Sequence, residues 1–413
     1  MNLFGWIILV ALLIEYFFHL IADYLNIKTL HHKLPKEFEG IFDVNAYRKS
    51  QGYTKDRIQF GILTSTVSLV VTLVFWFSGG FNWLDGIVRS WGLPSMWTGL
   101  LYIGMLMLLR AILSLPFSIY STFVIEAKFG FNKTAPATFL VDLVKGLLLA
   151  VVLGGPLLAG ILALFEYVGH SAWLYCWMVT ALFALFIQFI APTWIMPLFN
   201  KFIPLAEGEL QQAILSLAEK VRFPLQGVYV MDGSKRSSKT NAFFTGFGKN
   251  KRIALFDTLI AKHTVSELVA VLAHEIGHYK KKHIIQGIVI SILHMGVIFL
   301  LLSFFMNNRD LFDAFFMENA SIYASLIFFG MLYTPVEFII SILLHLLSRK
   351  NEYEADRYAA ETIARPEAMI DALKKLSLDN LSHLTPHPYY VWLNYSHPPV
   401  LERMKAIREY SAV

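Results

Sequence analysis

The chain has 413 residues, of which 56% are hydrophobic and only 16% charged, with a mean hydropathy of +0.54. That balance excludes an ordinary soluble domain and places the chain in a membrane. A formal net charge of +5 would suit nucleic acid, but the lysines and arginines lie in loops between apolar runs, where membrane topology accounts for them and no nucleic-acid partner is expected. The single cysteine, Cys176, sits inside an apolar run, so neither a disulfide framework nor a thiolate metal site can form within one chain.

Residues 3–22 form the first run long enough to cross a hydrocarbon core, which takes about 20 apolar residues. The run lacks a basic leader and a small-residue cleavage site and carries Glu15 and His19, so it reads as a retained helix rather than a signal peptide. Further spans are expected at 60–78, 99–123, 138–168, 173–196, 284–305 and 322–347. The expected fold is therefore mainly α and polytopic. Residues 1–199 hold five spans, 200–283 a soluble segment, 284–347 two more spans, and 348–413 a polar tail. The segment 27–58 is dense in lysine and arginine, whereas 79–98 has only Arg89 and the connection between the last two spans only Arg309. By the positive-inside rule the N-terminus faces out, and the soluble segment and the tail share the cytoplasmic side. Arg110, Asp142, Lys145, His294, Glu337 and His345 fall inside spans, where they must face protein or a wet cavity. Asp142 and Lys145, three apart on one helix, are expected to pair.

In the soluble segment a helix-like stretch, 207–222, precedes two β-rich runs, 226–232 and 241–257, the second broken by Gly248-Lys-Asn250. They read as a small hairpin sheet. An edge strand there can hold an extended peptide through main-chain hydrogen bonds, or the hairpin can simply brace the next helix; pattern alone leaves both open. That helix begins at Thr264, which with Glu267 fits a capping box, and Leu268, Val271, Leu272 and Ile276 recur on a helical period. It carries His274, Glu275 and His278 as H-E-x-x-H. The spacing puts two imidazoles on one face to bind a divalent ion, with a carboxylate within reach of a water beside that ion. A catalytic site of this kind needs a third protein ligand. Glu352, Glu354 and Asp356 are available beyond the seventh run, and Glu352 and Asp356 share a helix face. Glu352 suits the ligand and Asp356 the acceptor for the outer N–H of a ligating histidine, while Glu354 points elsewhere. Zinc suits nitrogen and carboxylate ligands with an open position best. Near the end, His397 on a Ser-His-Pro-Pro turn and Arg403 six residues later offer an imidazole and a cation to an oxyanion. His31, His32, His263, His283, His383 and His387 read as loop or surface residues.

Together these motifs resemble the type I CAAX prenyl proteases, integral-membrane zinc metalloproteases. The resemblance runs through most of the chain. It includes Phe123-Val-Ile-Glu-Ala-Lys-Phe-Gly-Phe-Asn-Lys133, Pro197-Leu-Phe-Asn-Lys-Phe202, Asn241-Ala-Phe243, Asn250-Lys-Arg252, the H-E-I-G-H, Ser348-Arg349 with Glu352-x-x-Ala-Asp356, and Ser396-His-Pro-Pro399 followed by Arg403. It implies seven helices around an intramembrane chamber with a small zincin-like domain on the cytoplasmic side. It also implies His274, His278 and Glu352 as zinc ligands, Glu275 as general base and Asp356 as the carboxylate behind a ligand. Asn241 and Ala242 fall on the substrate-binding edge strand, and His397 and Arg403 on catalytic-site positions. The implied activity is removal of the last three residues after a prenylated cysteine, in the endoplasmic reticulum of a eukaryote or the inner membrane of a bacterium. Two other readings stay open at this point. One is a quality-control membrane protease acting on unprenylated substrates; the other is a seven-helix transporter or receptor with a structural metal, against which Glu275 speaks.

Overall fold

The computed structural model describes residues 1–31, 33–245 and 251–411. Among the described residues seven helices are long and apolar enough to cross a membrane. They are Leu3–Lys28, Val44–Phe77, Ser95–Glu126, Pro136–Tyr167, Gly169–Leu198, His283–Phe305 and Ile322–Thr362, called spans 1 to 7 below. Each expected run is present, and the helices overrun the apolar stretches because nothing in the flanking polar sequence stops them. Span 7 continues unbroken to Thr362, so the expected third ligand lies on the spanning helix itself and not on a separate one. No more than 22% of any span's most apolar window is buried within the protein, and Leu3, Val74, Val151, Leu182 and Phe304 project outward. Such side chains leave water only where hydrocarbon covers them. Pro116, Pro156 and Pro192 lie close to or within the π-helical turns Ser121–Glu126, Ala150–Gly154 and Ala191–Ile195. A missing N–H loosens the helical ladder, and these spans continue through the defect.

The end of the bundle where span 7 begins is closed by an aromatic core. The Phe315 and Phe328 rings stack at 3.9 Å, Trp76 donates from its indole nitrogen to the Ala314 carbonyl at 2.8 Å, and the Tyr323 hydroxyl bonds to buried Asp85. Between spans 2 and 3 lies a cavity of about 820 Å³, lined in part by Thr64, Ser65, Ser68, Thr72, Arg110 and Ser114. Arg110 thus lines a cavity that also presents several hydroxyl groups, a less costly place for a charge inside a span than lipid.

At the other end a sheet-bearing lobe encloses the metal helix, Val265–Lys280. Its strands are β1 (Phe202–Pro204), β2 (Leu225–Met231), β3 (Ala242–Thr245) and β4 (Lys251–Phe256), in the order β1-β2-β4-β3. β3 and β4 form the expected antiparallel hairpin, and β3 is an edge; its expected turn, Gly248-Lys-Asn250, lies outside the described residues. Sequence reading had no sign that β2 runs parallel to β4 or that β1 joins the sheet. The helix foreseen at 207–222 is Glu209–Lys220. Ile214, Leu217, Phe223, Ile253 and Leu255 meet Leu268, Leu272 and Ile276 of the metal helix in one core. On the helix's other side Phe38 and Phe42 pack with Met369, Leu373, Met404 and Ile407. The connection between spans 1 and 2 and the C-terminal helices therefore grip the metal helix together.

Two expectations are corrected here. Asp142 does not pair with Lys145. It accepts a two-pronged bond from Arg236 at 2.8 and 2.9 Å, while Lys145 Nζ donates to the Leu198 carbonyl at 2.6 Å. Arg236 also donates to Asn200 Oδ1 at 2.8 Å, so the charge inside span 4 is used to dock the lobe. Nor are His263, His283 and His383 surface residues, since all three are buried. His263 stands 3.3 Å from Glu267 and 3.6 Å from Asp379. Of the remaining three, His31 ends the short helical turn Thr29–His31, His387 caps the helix Pro388–Asn394 by accepting from Tyr389 N at 3.2 Å, and His32 lies outside the described residues.

Candidate active site

The metal helix starts on the capping box foreseen from sequence. Glu267 Oε2 accepts from Thr264 N at 2.9 Å and Thr264 Oγ1 accepts from Glu267 N at 3.4 Å. Its apolar stripe faces the sheet, which turns His274 and His278 toward span 7. Those two helices approach closely at Gly277, where an added Cβ would stand 3.1 Å from the Cα and carbonyl oxygen of Ala355. Glycine is what lets the backbones meet, and Ala355 lies between the two carboxylates that span 7 supplies.

The three expected ligands converge. His274 Nε2 and His278 Nε2 are 3.2 Å apart, Glu352 Oε2 is 3.5 Å from the first and Glu352 Oε1 is 3.2 Å from the second. A tetrahedral ion with bonds of about 2.0–2.1 Å separates its ligands by about 3.3–3.4 Å; with one ligand atom from each residue the three lie within 4.8 Å of one another, close enough to gather on one ion. Glu352 is buried, and its Oε2 makes no well-angled hydrogen bond although His397 Nδ1 lies only 3.0 Å away. A buried carboxylate oxygen left so is one that a cation would satisfy.

Behind the cradle, His274 donates from Nδ1 to Asp356 Oδ1 at 2.8 Å, which aims Nε2 into the cradle, where a bound ion would displace its proton. Asp356 is fully buried and accepts two bonds from Arg403 at 2.8 and 2.7 Å. Burial alone would lower the His274 pKa, but Asp356 and then Glu352 outweigh it and raise it to about 9. Half-buried Glu275 has its carboxyl raised, chiefly by burial. Arg403 Nη1 also stands 3.4 Å from Glu352 Oε2. Its guanidinium is thereby occupied by two carboxylates, whereas the His397 side chain is 65% exposed.

Two cavities open on this centre. One of about 520 Å³ is lined by Phe243, Phe244, Glu275, His278 and His294 among others, placing edge strand β3 beside the carboxylate of Glu275. The other, about 730 Å³, is lined by Arg57, His383, Tyr390, Asn394, His397 and Arg403 among others. Ala242 opens β3, and Asn241 just before it is exposed, its carbonyl accepting from Phe256 N at 3.1 Å.

A multi-pass helix bundle with two histidines and a carboxylate cradling one point, and a second carboxylate beside it, defines a membrane metallopeptidase. Comparison with known proteins agrees. The family model described as peptidase family M48 matches residues 204–411, and the one described as CAAX prenyl protease N-terminal, five membrane helices, matches residues 23–201. CAAX prenyl protease 1 of Saccharomyces cerevisiae is 36% identical over 407 residues, covering 92% of this chain and 89% of that protein. The human CAAX prenyl protease 1 homolog is 31% identical over 433 residues, covering 92% and 90%. The crystal structure of S. mikatae Ste24p matches with a TM-score of 0.93 at 34% identity, covering 98% of this chain and 99% of that one. The chain belongs to peptidase family M48.

Sequence reading missed two residues at this site. His283, dismissed as a surface residue, lies against the metal-facing histidine His278, and Glu354, read as pointing elsewhere, lies against His283. In hindsight the signal was a third histidine five residues beyond the motif, at the first position of a span.

Proposed function

We propose that this protein is a zinc endopeptidase that cleaves peptide bonds at the membrane boundary, and that its substrates are prenylated C-termini from which it removes the last three residues. The observation that carries the chemistry is the cradle of His274, His278 and Glu352, one ligand atom from each lying within 4.8 Å of the others, with Glu275 lining the cavity beside it. The names of the relatives carry the substrate class. When bound, zinc supplies Lewis-acid chemistry, polarising a carbonyl oxygen and acidifying water. Glu275 takes the proton from the attacking water and returns it to the leaving amine, a task to which a carboxyl with a raised pKa is suited. Asn241 and Ala242, at the head of the edge strand, hold the substrate extended through main-chain bonds. His397, exposed and close to Glu352, faces the developing oxyanion. Arg403 was expected to share that role, but its guanidinium already serves Asp356 and Glu352, so we assign it to positioning the ligands.

In this reading residues 1–199 and 284–347 build the membrane chamber, 200–283 is the protease segment, and 348–413 adds the third ligand and the supporting residues. The N-terminus faces out and the site faces the cytoplasm. A site at the water boundary favours substrates that carry a lipid or emerge from the bilayer. The test uses the purified full chain with a farnesylated CAAX peptide and its unprenylated counterpart, before and after chelation and zinc add-back. Zinc-dependent preference for the farnesylated peptide is expected. Equal cleavage of both would replace this reading with a quality-control protease, and cleavage that survives chelation would remove the metal chemistry. Glu275→Gln is expected to keep zinc while losing about 10²–10⁴-fold in hydrolysis; unchanged hydrolysis with zinc bound would remove Glu275 as base.

A further inference from the structure

The metal helix ends at Lys280, and span 6 begins only three residues later at His283. Lys282 makes the corner with φ 61°, a left-handed backbone that glycine adopts freely and a lysine adopts at a cost. A corner needed only to redirect the chain would be cheaper with glycine. What this corner achieves is to bring the first side chain of span 6 back against the metal helix, where His283 is 9% exposed. In a continuous helix, residues five apart would not share a face.

His283 Nδ1 lies 3.1 Å from His278 Nδ1, and His283 Nε2 lies 3.2 Å from Glu354 Oε2. These contacts admit one assignment of protons. His278 Nε2 is the atom that faces His274 and Glu352, so as a ligand it must be bare, and the ring's proton sits on Nδ1. That N–H needs an acceptor, which requires a bare Nδ1 on His283. The proton of His283 is then on Nε2, where it points at the Glu354 carboxylate. The opposite tautomer of His283 would set a bare nitrogen against a carboxylate oxygen and a donor against a donor, losing both bonds. The arrangement parallels the one across the cradle, where Asp356 receives the outer N–H of His274.

We propose that His283, oriented by Glu354, is a positioning residue that fixes the tautomer and ring plane of His278 and so prepares the metal cradle from the membrane side. This rests on the reading of His274, His278 and Glu352 as the metal ligands. The first residue of span 6 thereby completes the support of a site that span 7 supplies with its third ligand. Each ligating histidine has a partner from a different element: His274 through span 7 and the C-terminal helix, and His278 through the start of span 6 and, by Glu354, span 7 again.

The test is zinc affinity, read by competition with a chromophoric chelator, together with the melting temperature of the metal-free protein, both on the purified full chain. His283→Ala is expected to weaken zinc binding about 10–100-fold, the usual cost of losing a partner behind a ligand, with the metal-free melting temperature unchanged. His283→Asn, whose Oδ1 stands in for Nδ1 as acceptor, is expected to recover most of that loss. Glu354→Leu is expected to weaken binding less than His283→Ala does. Wild-type zinc affinity in His283→Ala would overturn the proposal. So would failure of His283→Asn to do better than alanine, or a loss matched by a lower metal-free melting temperature. His278→Ala marks the floor. A wild-type chain that binds no more zinc than His278→Ala would overturn the metal-site reading as well, which distinguishes the two failures.

Discussion

At the scale of single residues, Arg403 has the most to lose. Its guanidinium makes two bonds to a fully buried carboxylate and stands near a second. Burial works against its charge, but Asp356 and Glu352 outweigh that and raise its pKa further above the ordinary arginine value. Removing one partner of such a pair leaves the other charge buried alone, at a cost of about 3–5 kcal/mol. Arg403→Ala is therefore expected to lower thermal stability and zinc affinity together, and thermal unfolding alongside metal titration checks both. A variant that melted and bound zinc like the wild type while losing turnover would restore Arg403 to the oxyanion. Which residues meet here was legible where a helical repeat carried the information: His274 and His278 are four apart on one helix, and so are Glu352 and Asp356. The links that sequence missed cross a break in the repeat. His283 reaches His278 only because Lys282 turns left-handed, and Arg236 reaches Asp142 across 94 positions. Spacing rules apply within an element and are silent on both.

Between elements, the metal helix meets span 7 closely at Gly277. Gly277→Ala would set a methyl group 3.1 Å from backbone atoms of Ala355, and backbone cannot step aside as a flexible side chain does. Overpacking of this kind costs about 1–3 kcal/mol, and here it acts by prising Glu352 away from the histidines. Zinc affinity is expected to fall in Gly277→Ala by more than thermal stability would suggest; an unchanged affinity would mean that the helices slide without opening the cradle. At the opposite end of the metal helix, Glu267 joins the capping box to Lys375, 2.7 Å away. Burial raises the Glu267 pKa, but Lys375 and the Thr264 N–H outweigh it, so its net value is lowered. A carboxyl with a lower pKa folded than unfolded adds stability that is complete above the unfolded value. That contribution is lost as pH falls through the folded one. Unfolding followed as a function of pH should show an acid-side decline, beginning below about 4.3, the ordinary glutamate value, that is shallower in Glu267→Gln. Identical slopes would assign the acid sensitivity to other groups.

For the whole molecule, the seven spans and their order were legible because hydropathy over about 20 residues is a strong signal. The sheet was only half legible, because a parallel pairing such as β2 with β4 joins strands that a local pattern cannot relate. The proposed orientation can be tested directly, since Cys176 is fully buried and gives a silent background. Trp91→Cys and Arg365→Cys each place a thiol at an exposed position, in the 79–98 connection and the C-terminal segment respectively. In sealed vesicles whose outer face is the cytoplasmic one, a membrane-impermeant maleimide is expected to label the second and not the first; the reverse pattern would invert the topology.

Span 7 is one helix from Ile322 to Thr362, with Pro335 inside it. Between that proline and Glu352 the helix rises about 25 Å at 1.5 Å per residue, so one degree of tilt about Pro335 swings the carboxylate by about 0.4 Å. Metal ligands tolerate errors of about 0.2 Å. Bilayer thickness acts on helix tilt, which puts the catalytic centre at the end of a lever arm rooted in lipid. The close contact at Gly277 and the Arg403–Asp356 pair are then the bearing on which that lever is held still, and a membrane of altered thickness would be felt at the ion as a load on those two contacts.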